Sequence, residues 1–108
     1  MANSFRSNVA ADIVTSGNTV YTCPGATQTT LIGLTLSNKS AGTVTANVFL
    51  RRSSVDYSLI SNAPILTGST LVPIGGEQKV VLQASDELKI TASANASVDV
   101  IASLLEIT

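Results

Sequence analysis

Residues 29–51 read TTLIGLTLSNKSAGTVTANVFLR. Ile32, Leu34 and Leu36 fall on one side of an extended chain, and Val44, Ala46, Val48 and Leu50 repeat the pattern after a break at NKSAG. Side chains alternate across a strand with period two, so each half reads as a strand with one apolar face. A helix would need apolar positions three and four apart, and no window of the chain supplies that stripe. The simplest reading pairs the two strands with each other as a hairpin.

The same alternation recurs outward in both directions, broken by turn chemistry roughly every eight to twelve residues, as in sandwiches and barrels. A quarter of the chain is Ser or Thr, which together with frequent β-branching suits pleated, half-buried surfaces. Residues 1–14 read as an N-terminal arm or first strand, with Phe5–Val14 as the strand-like segment. Gly17-Asn18 turns the chain into Thr19–Cys23, and Pro24-Gly25 suits a type II turn with glycine at positive φ. After a Ser53-Ser54 turn come short strands at Val55–Ile60 and Ala63–Leu66. The second half reads as a meander: Thr70–Ile74, a tight Gly75-Gly76 turn, Glu77–Gln83, then Asp86–Ser93 and Ser97–Ile107. Pro73 cannot donate to a ladder and places its strand at an edge. The expectation is one all-β domain over residues 1–108, an antiparallel, jelly-roll-like β-sandwich of eight or nine strands.

Residues 97–108, SVDVIASLLEIT, raise a question of cover. Val98, Val100, Ala102 and Leu104 take one side; Asp99, Ile101, Ser103, Leu105 and Ile107 take the other. Both sides are apolar toward the end. Cover for Leu105 and Ile107 is expected from an adjacent subunit, from the N-terminal arm or from the second sheet. Unpaired edges invite strand addition, and only Pro73 and Lys79 stand out as guards.

The 108 residues are 44% hydrophobic but 4% aromatic, so the core must be built from Val, Leu, Ile and Ala. Charged residues make up 12%, about half the usual share, and a surface so poor in charge tends to associate. A formal net charge of −1 provides no basic field for a phosphate backbone, so nucleic acid is not an expected partner. No apolar run approaches the roughly 20 residues of a membrane span. The first residues lack the apolar centre of a secretory signal, which points to folding in a cytoplasm.

Chemistry-bearing constellations are scarce. The chain has no His, so a lone Cys23 has no base beside it and reads as a small buried residue. Asp12, Asp56, Glu77, Asp86, Glu87, Asp99 and Glu106 are scattered. The adjacent Asp86-Glu87 pair points to opposite faces of a strand and cannot form a dyad. Asp86 is better placed to shape the turn after Ala84-Ser85 through backbone amides. Asp56, Asp86 and Asp99 could gather around calcium only if loops converge, without EF-hand spacing to support it. Asn38-Lys39-Ser40 and Asn95-Ala96-Ser97 match the glycosylation pattern by chance if no secretory signal precedes them. A sugar-binding platform would rely on stacking rings. Here there is no Trp, Phe49 lies within an apolar strand, and Tyr21 and Tyr57 are expected to hold their hydroxyls outward. No catalytic, cofactor or metal residue is assigned.

Four short patterns carry a resemblance. Thr19-Val20-Tyr21-Thr22-Cys23-Pro24 matches T-x-Y-T-x-P, Leu34–Asn38 matches L-x-L-S-N, Asp86–Ser93 matches D-x-L-x-I-x-A-S, and IASLLEIT ends the chain. Together they resemble small virion proteins of tailed phages, cyanophages among them. The resemblance spans nearly the whole chain and implies a non-enzymatic structural component made in the host cytoplasm and carried in the virion. Its partners would be the major capsid protein or other virion proteins, alongside copies of itself in a trimer or ring. A capsid decoration or cement role is favoured; a neck, tail or baseplate component and a carbohydrate-binding host-recognition module are the alternatives. Expected interface residues are Phe5 and Arg6 in the arm, Arg51, Arg52 and Tyr57 near the central turn, and Leu105 and Ile107 at the end. Arg and Tyr combine contact area with directed hydrogen bonds, as binding hot spots require.

Overall fold

A computed structural model describes residues 3–74 and 80–108. Nine strands and no helix occur among these residues: β1 (Asn3–Ala10), β2 (Asn18–Thr22), β3 (Gln28–Asn38), β4 (Val44–Arg52), β5 (Val55–Ile65), β6 (Thr70–Ile74), β7 (Val80–Leu82), β8 (Glu87–Ala92) and β9 (Val98–Ile107). They form two antiparallel sheets. One runs β1-β9-β3-β6, with β7 also on β3; the other runs β2-β8-β4-β5.

The expected hairpin at residues 29–51 does not form. β3 pairs with β9, β6 and β7, whereas β4 pairs with β5 and β8, so NKSAG carries the chain from one sheet to the other. Asn38 makes this crossing possible. It is buried, and its side-chain amide donates to the carbonyls of Gly42 and Ile65 while its oxygen accepts from the Ser40 amide. A buried, fully engaged Asn38 also leaves no nitrogen for glycosylation.

The second half is likewise no meander. β6 pairs with Leu34–Ser37 and β7 with Thr29–Leu31, both antiparallel to β3. The two therefore run in one direction along the same edge of β3. The Gly75-Gly76 turn and Lys79 lie outside the described residues. β6 is an edge strand, as Pro73 requires. Counting β6 and β7 as one, every connection crosses between the sheets except the β4–β5 hairpin. That winding, with four strands in each sheet, is an eight-stranded jelly roll.

Between the sheets lie Ile13, Leu31, Leu34, Leu36, Val48, Leu88, Ile90 and Leu104, each essentially inaccessible. A bulge between Leu31 and Gly33 resets the alternation of β3, so Leu31 takes the inward place expected of Ile32, which is half-buried. At residues 24–26 the left-handed residue is Ala26 (φ 55°), not Gly25, so the expected type II turn is replaced by a different one. Gly17 does turn the chain as read, at φ 102°, with its amide donating to the Val14 carbonyl. A Cβ there would also crowd Lys89 and Thr91.

Candidate functional site

β9 is not an edge. It lies between β1 and β3, paired along its length with both, so the N-terminal arm covers its edge as a strand. Val98, Val100, Ala102 and Leu104 face the second sheet and are buried, while Ile101 and Ser103 are exposed on the outer side and Leu105 and Ile107 are half-buried there. The second sheet thus covers one face only. The N-terminal arm supplies the outermost row: register pairs Phe5 with Leu105 and Val9 with Ile101.

On the inward side of the same strands sits a polar cluster that sequence reasoning missed. Tyr21, expected to point outward, is buried. Its hydroxyl donates to Glu106 Oε2 and shares a 2.8 Å hydrogen bond with Thr29 Oγ1. Arg6 donates from Nε to Glu106 Oε1, and Cys23 Sγ lies 3.3 Å from Thr29 Oγ1. Burial first, and then the bond to Glu106, pushes the Tyr21 phenol up to about 12. The hydrogen bonds from Tyr21 and Arg6 hold the Glu106 carboxyl below the usual carboxylate range. The signal available in sequence was parity: Glu106 follows Leu104 by two on β9 and must share its inward face. Arg6 is therefore tied inside its own chain, while Phe5 beside it is 78% exposed.

The central arginines are similarly engaged. Arg51 Nη1 donates to Asp56 Oδ1 at 2.9 Å across the β4–β5 hairpin. Arg52 grips the buried Asp86 with both Nε and Nη2. Asp86 also accepts the Gln83 amide, as a turn-shaping residue should, and Arg52 keeps its carboxyl below the usual range. Tyr57 and Val55 stay exposed at this end of the molecule. Lys39 bridges Asp12 and Asp99, and its ammonium is held above the usual lysine range by the bond to Asp12 and then that to Asp99. Asp56, Asp86 and Asp99 therefore sit in three separate ion pairs and do not converge as a calcium site would require. Cys23 is buried, as expected.

The seven expected interface residues thus fall in three places. Phe5, Leu105 and Ile107 share the outer face of one sheet; Arg51, Arg52 and Tyr57 cluster on the β4–β5 hairpin; Arg6 reaches in from the edge strand to Glu106 with its own side chain largely exposed. An open hollow of about 500 Å³ between residues 26–28, Gln83-Ala84 and the C-terminal end of β9 is lined by neutral residues.

No protein-family model matches the sequence, and no curated protein matches it. The fold itself has relatives among solved structures. A chain of the Bacillus endospore appendages, disulfide-linked pili, superposes with a TM-score of 0.60 at 13% identity, over 99% of this chain and 87% of that one. A chain of the T13 IBDV viral particle gives 0.54 at 12% identity, over 96% of this chain and 30% of that one. A chain of the cyanophage Pam1 capsid asymmetric unit gives 0.43 at 17% identity. The first two likenesses establish a shared β-sandwich fold.

Proposed function

We propose that this chain is a non-enzymatic structural subunit of a phage virion, serving as a decoration protein on the head shell. The observation that carries the reading is where its charge goes. Asp12, Asp56, Asp86, Asp99 and Glu106 are each held by an Arg or Lys of the same chain, and Glu87 accepts from Thr19 Oγ1. These acidic side chains are engaged within the chain, which supports a structural rather than a catalytic reading, and the surface keeps little free charge to repel neighbours. Such a surface suits a subunit present in many copies, each held by modest contacts that multiply through multivalency.

The sequence patterns quoted above support placement in a virion, and a jelly roll is a fold that viral capsid domains use. The β4–β5 end offers the shell-facing contact: Tyr57 and Val55 are exposed, and the Arg51–Asp56 pair beside them adds polar anchoring. A disulfide-linked appendage is the weaker alternative, because Cys23 is 1% exposed and offers no accessible thiol in the folded chain. Quantitative mass spectrometry of purified particles tests the proposal. Copy numbers comparable with the major capsid protein are expected. A few copies per particle would move the chain to neck, tail or baseplate, and absence from particles would overturn the virion reading. Tyr57→Ser and Val55→Ser should reduce occupancy while leaving the fold intact, since neither side chain is buried.

A further inference from the structure

We propose that the outer face of the β1-β9-β3 sheet, with β7 at its rim, is a homotypic interface covered by the same face of a second copy. Register aligns Phe5, Leu105, Thr30 and Val81 in one row across four strands, and Val9, Ile101 and Thr35 in another. Between these rows lie Ser7, Ser103 and Gly33, all small, with the bulged Ile32 beside Gly33 on β3. Across β1 and β9 the face is therefore two apolar ridges flanking a shallow groove, which Ile32 closes at β3. Four of the ridge side chains are unusually bare: Phe5 78%, Val9 70%, Val81 57% and Ile101 50% exposed.

The occupant follows from charge, shape and size. From the Asn3–Ile107–Gln28 row to the Val9–Ile101–Thr35 row every described residue of β1, β9 and β3 on this face is neutral, and the first charge reached along β9 is Asp99, already bridged to Lys39. A charged partner would find nothing to pair with and would lose hydration, whereas a second copy of the face meets no like charge. The ridges lie four residues apart on β9, about 13 Å, so a ridge of one copy fits the groove of the other when two sheets stack about 10 Å apart. Three strands about 4.8 Å apart and about eight residues long, with the three residues of β7 at the rim, give a footprint of roughly 400 Å² per copy. Face-to-face burial of roughly 800–900 Å² is that of a weak, transient interface, and isologous contact closes it as a dimer.

Dimerisation does not depend on the virion reading, and the β4–β5 end remains free on both copies. Sedimentation velocity of the full chain, from micromolar to millimolar concentration, tests it. A monomer–dimer equilibrium is expected, insensitive to added salt because no charges are joined. Ile101→Lys should weaken it by roughly a hundredfold or more, by burying an unpaired charge on each side. Val9→Asp, on the edge strand, should do the same should Ile101→Lys disturb folding; circular dichroism checks both folds. Tyr57→Ser should leave the dimer unchanged. A chain monomeric at millimolar concentration overturns the proposal, as does a dimer that survives both charge substitutions or dissolves with Tyr57→Ser. A monomer whose particle occupancy falls with Ile101→Lys would instead assign the face to the shell. Loss of the chain from particles with the dimer intact would count against the virion role alone.

Discussion

Tyr21 and Glu106 set opposite ends of one pH window. The phenol is ordinarily near 10.0 and is raised to about 12, so its contribution to stability is complete below the ordinary value and is lost as pH climbs toward 12. Glu106 is lowered, so its contribution is complete above the ordinary carboxylate range and disappears as pH falls through the lowered value. Tyr21→Phe keeps the ring but leaves a buried carboxylate with Arg6 as its remaining side-chain partner. Urea unfolding at neutral pH should show a loss of about 1–3 kcal/mol, the cost of an under-satisfied buried acceptor. The same variant should lose the Tyr21 part of the alkaline fall between pH 10 and 12 and show a smaller acid fall than the parent chain, because Glu106 loses the bond that lowers it most. A parent chain equally stable at pH 9 and pH 12 would refute this account of the cluster. Cys23, a few ångströms away, should stay unreactive toward a thiol reagent in the native state and react fully in urea, because burial keeps the reagent from the sulfur.

Among the elements, the β4–β5 hairpin shows what local sequence can and cannot specify. Arg52 and Val55 pair across a two-residue loop in which Ser53 and Ser54 both take left-handed angles, φ 53° and 63°. That is a type I′ turn, whose twist matches the strands it joins but whose angles favour Asn-Gly over serines. Ser53→Asn with Ser54→Gly should raise stability by about 1 kcal/mol in a thermal or urea melt. A turn of this kind is legible because its chemistry is local, and strand positions were legible for the same reason. Partner choice was not. The alternation in residues 29–51 is the same whether the strands pair or part into different sheets; the buried amide of Asn38, which ties both sides of the crossing, looks in sequence like any loop Asn. Tyr21 likewise carried a misleading cue, since its inward direction depends on Glu106, 85 residues away. The ion pairs of Arg6 and Arg52 reach partners 100 and 34 residues away, which no local pattern around either arginine discloses.

For the whole molecule, the consequence of jelly-roll winding is that the two chain ends close the fold. β1 pairs with β9 in register from Asn3–Ile107 to Ala10–Val100, and β9 is the only strand between β1 and β3. The two ends are nonetheless unequal. β1 is an edge strand, mostly exposed, whose main inward tie is the Arg6–Glu106 pair. β9 is internal, paired on both sides, and carries five buried side chains. Removing Leu105–Thr108 therefore strips two ladders at once and takes Glu106 from beneath Tyr21. Against a domain stability of about 5–15 kcal/mol, the loss should abolish the cooperative thermal transition, so that no folded monomer remains. Removing residues 1–10 takes only the edge. That chain should still unfold cooperatively at a lower temperature, and should aggregate, because the bared side of β9 is a long, apolar template for strand addition. If the C-terminal truncation instead leaves a cooperatively melting monomer that merely fails to assemble, β9's last turn of pairing is a docking element and not a structural one.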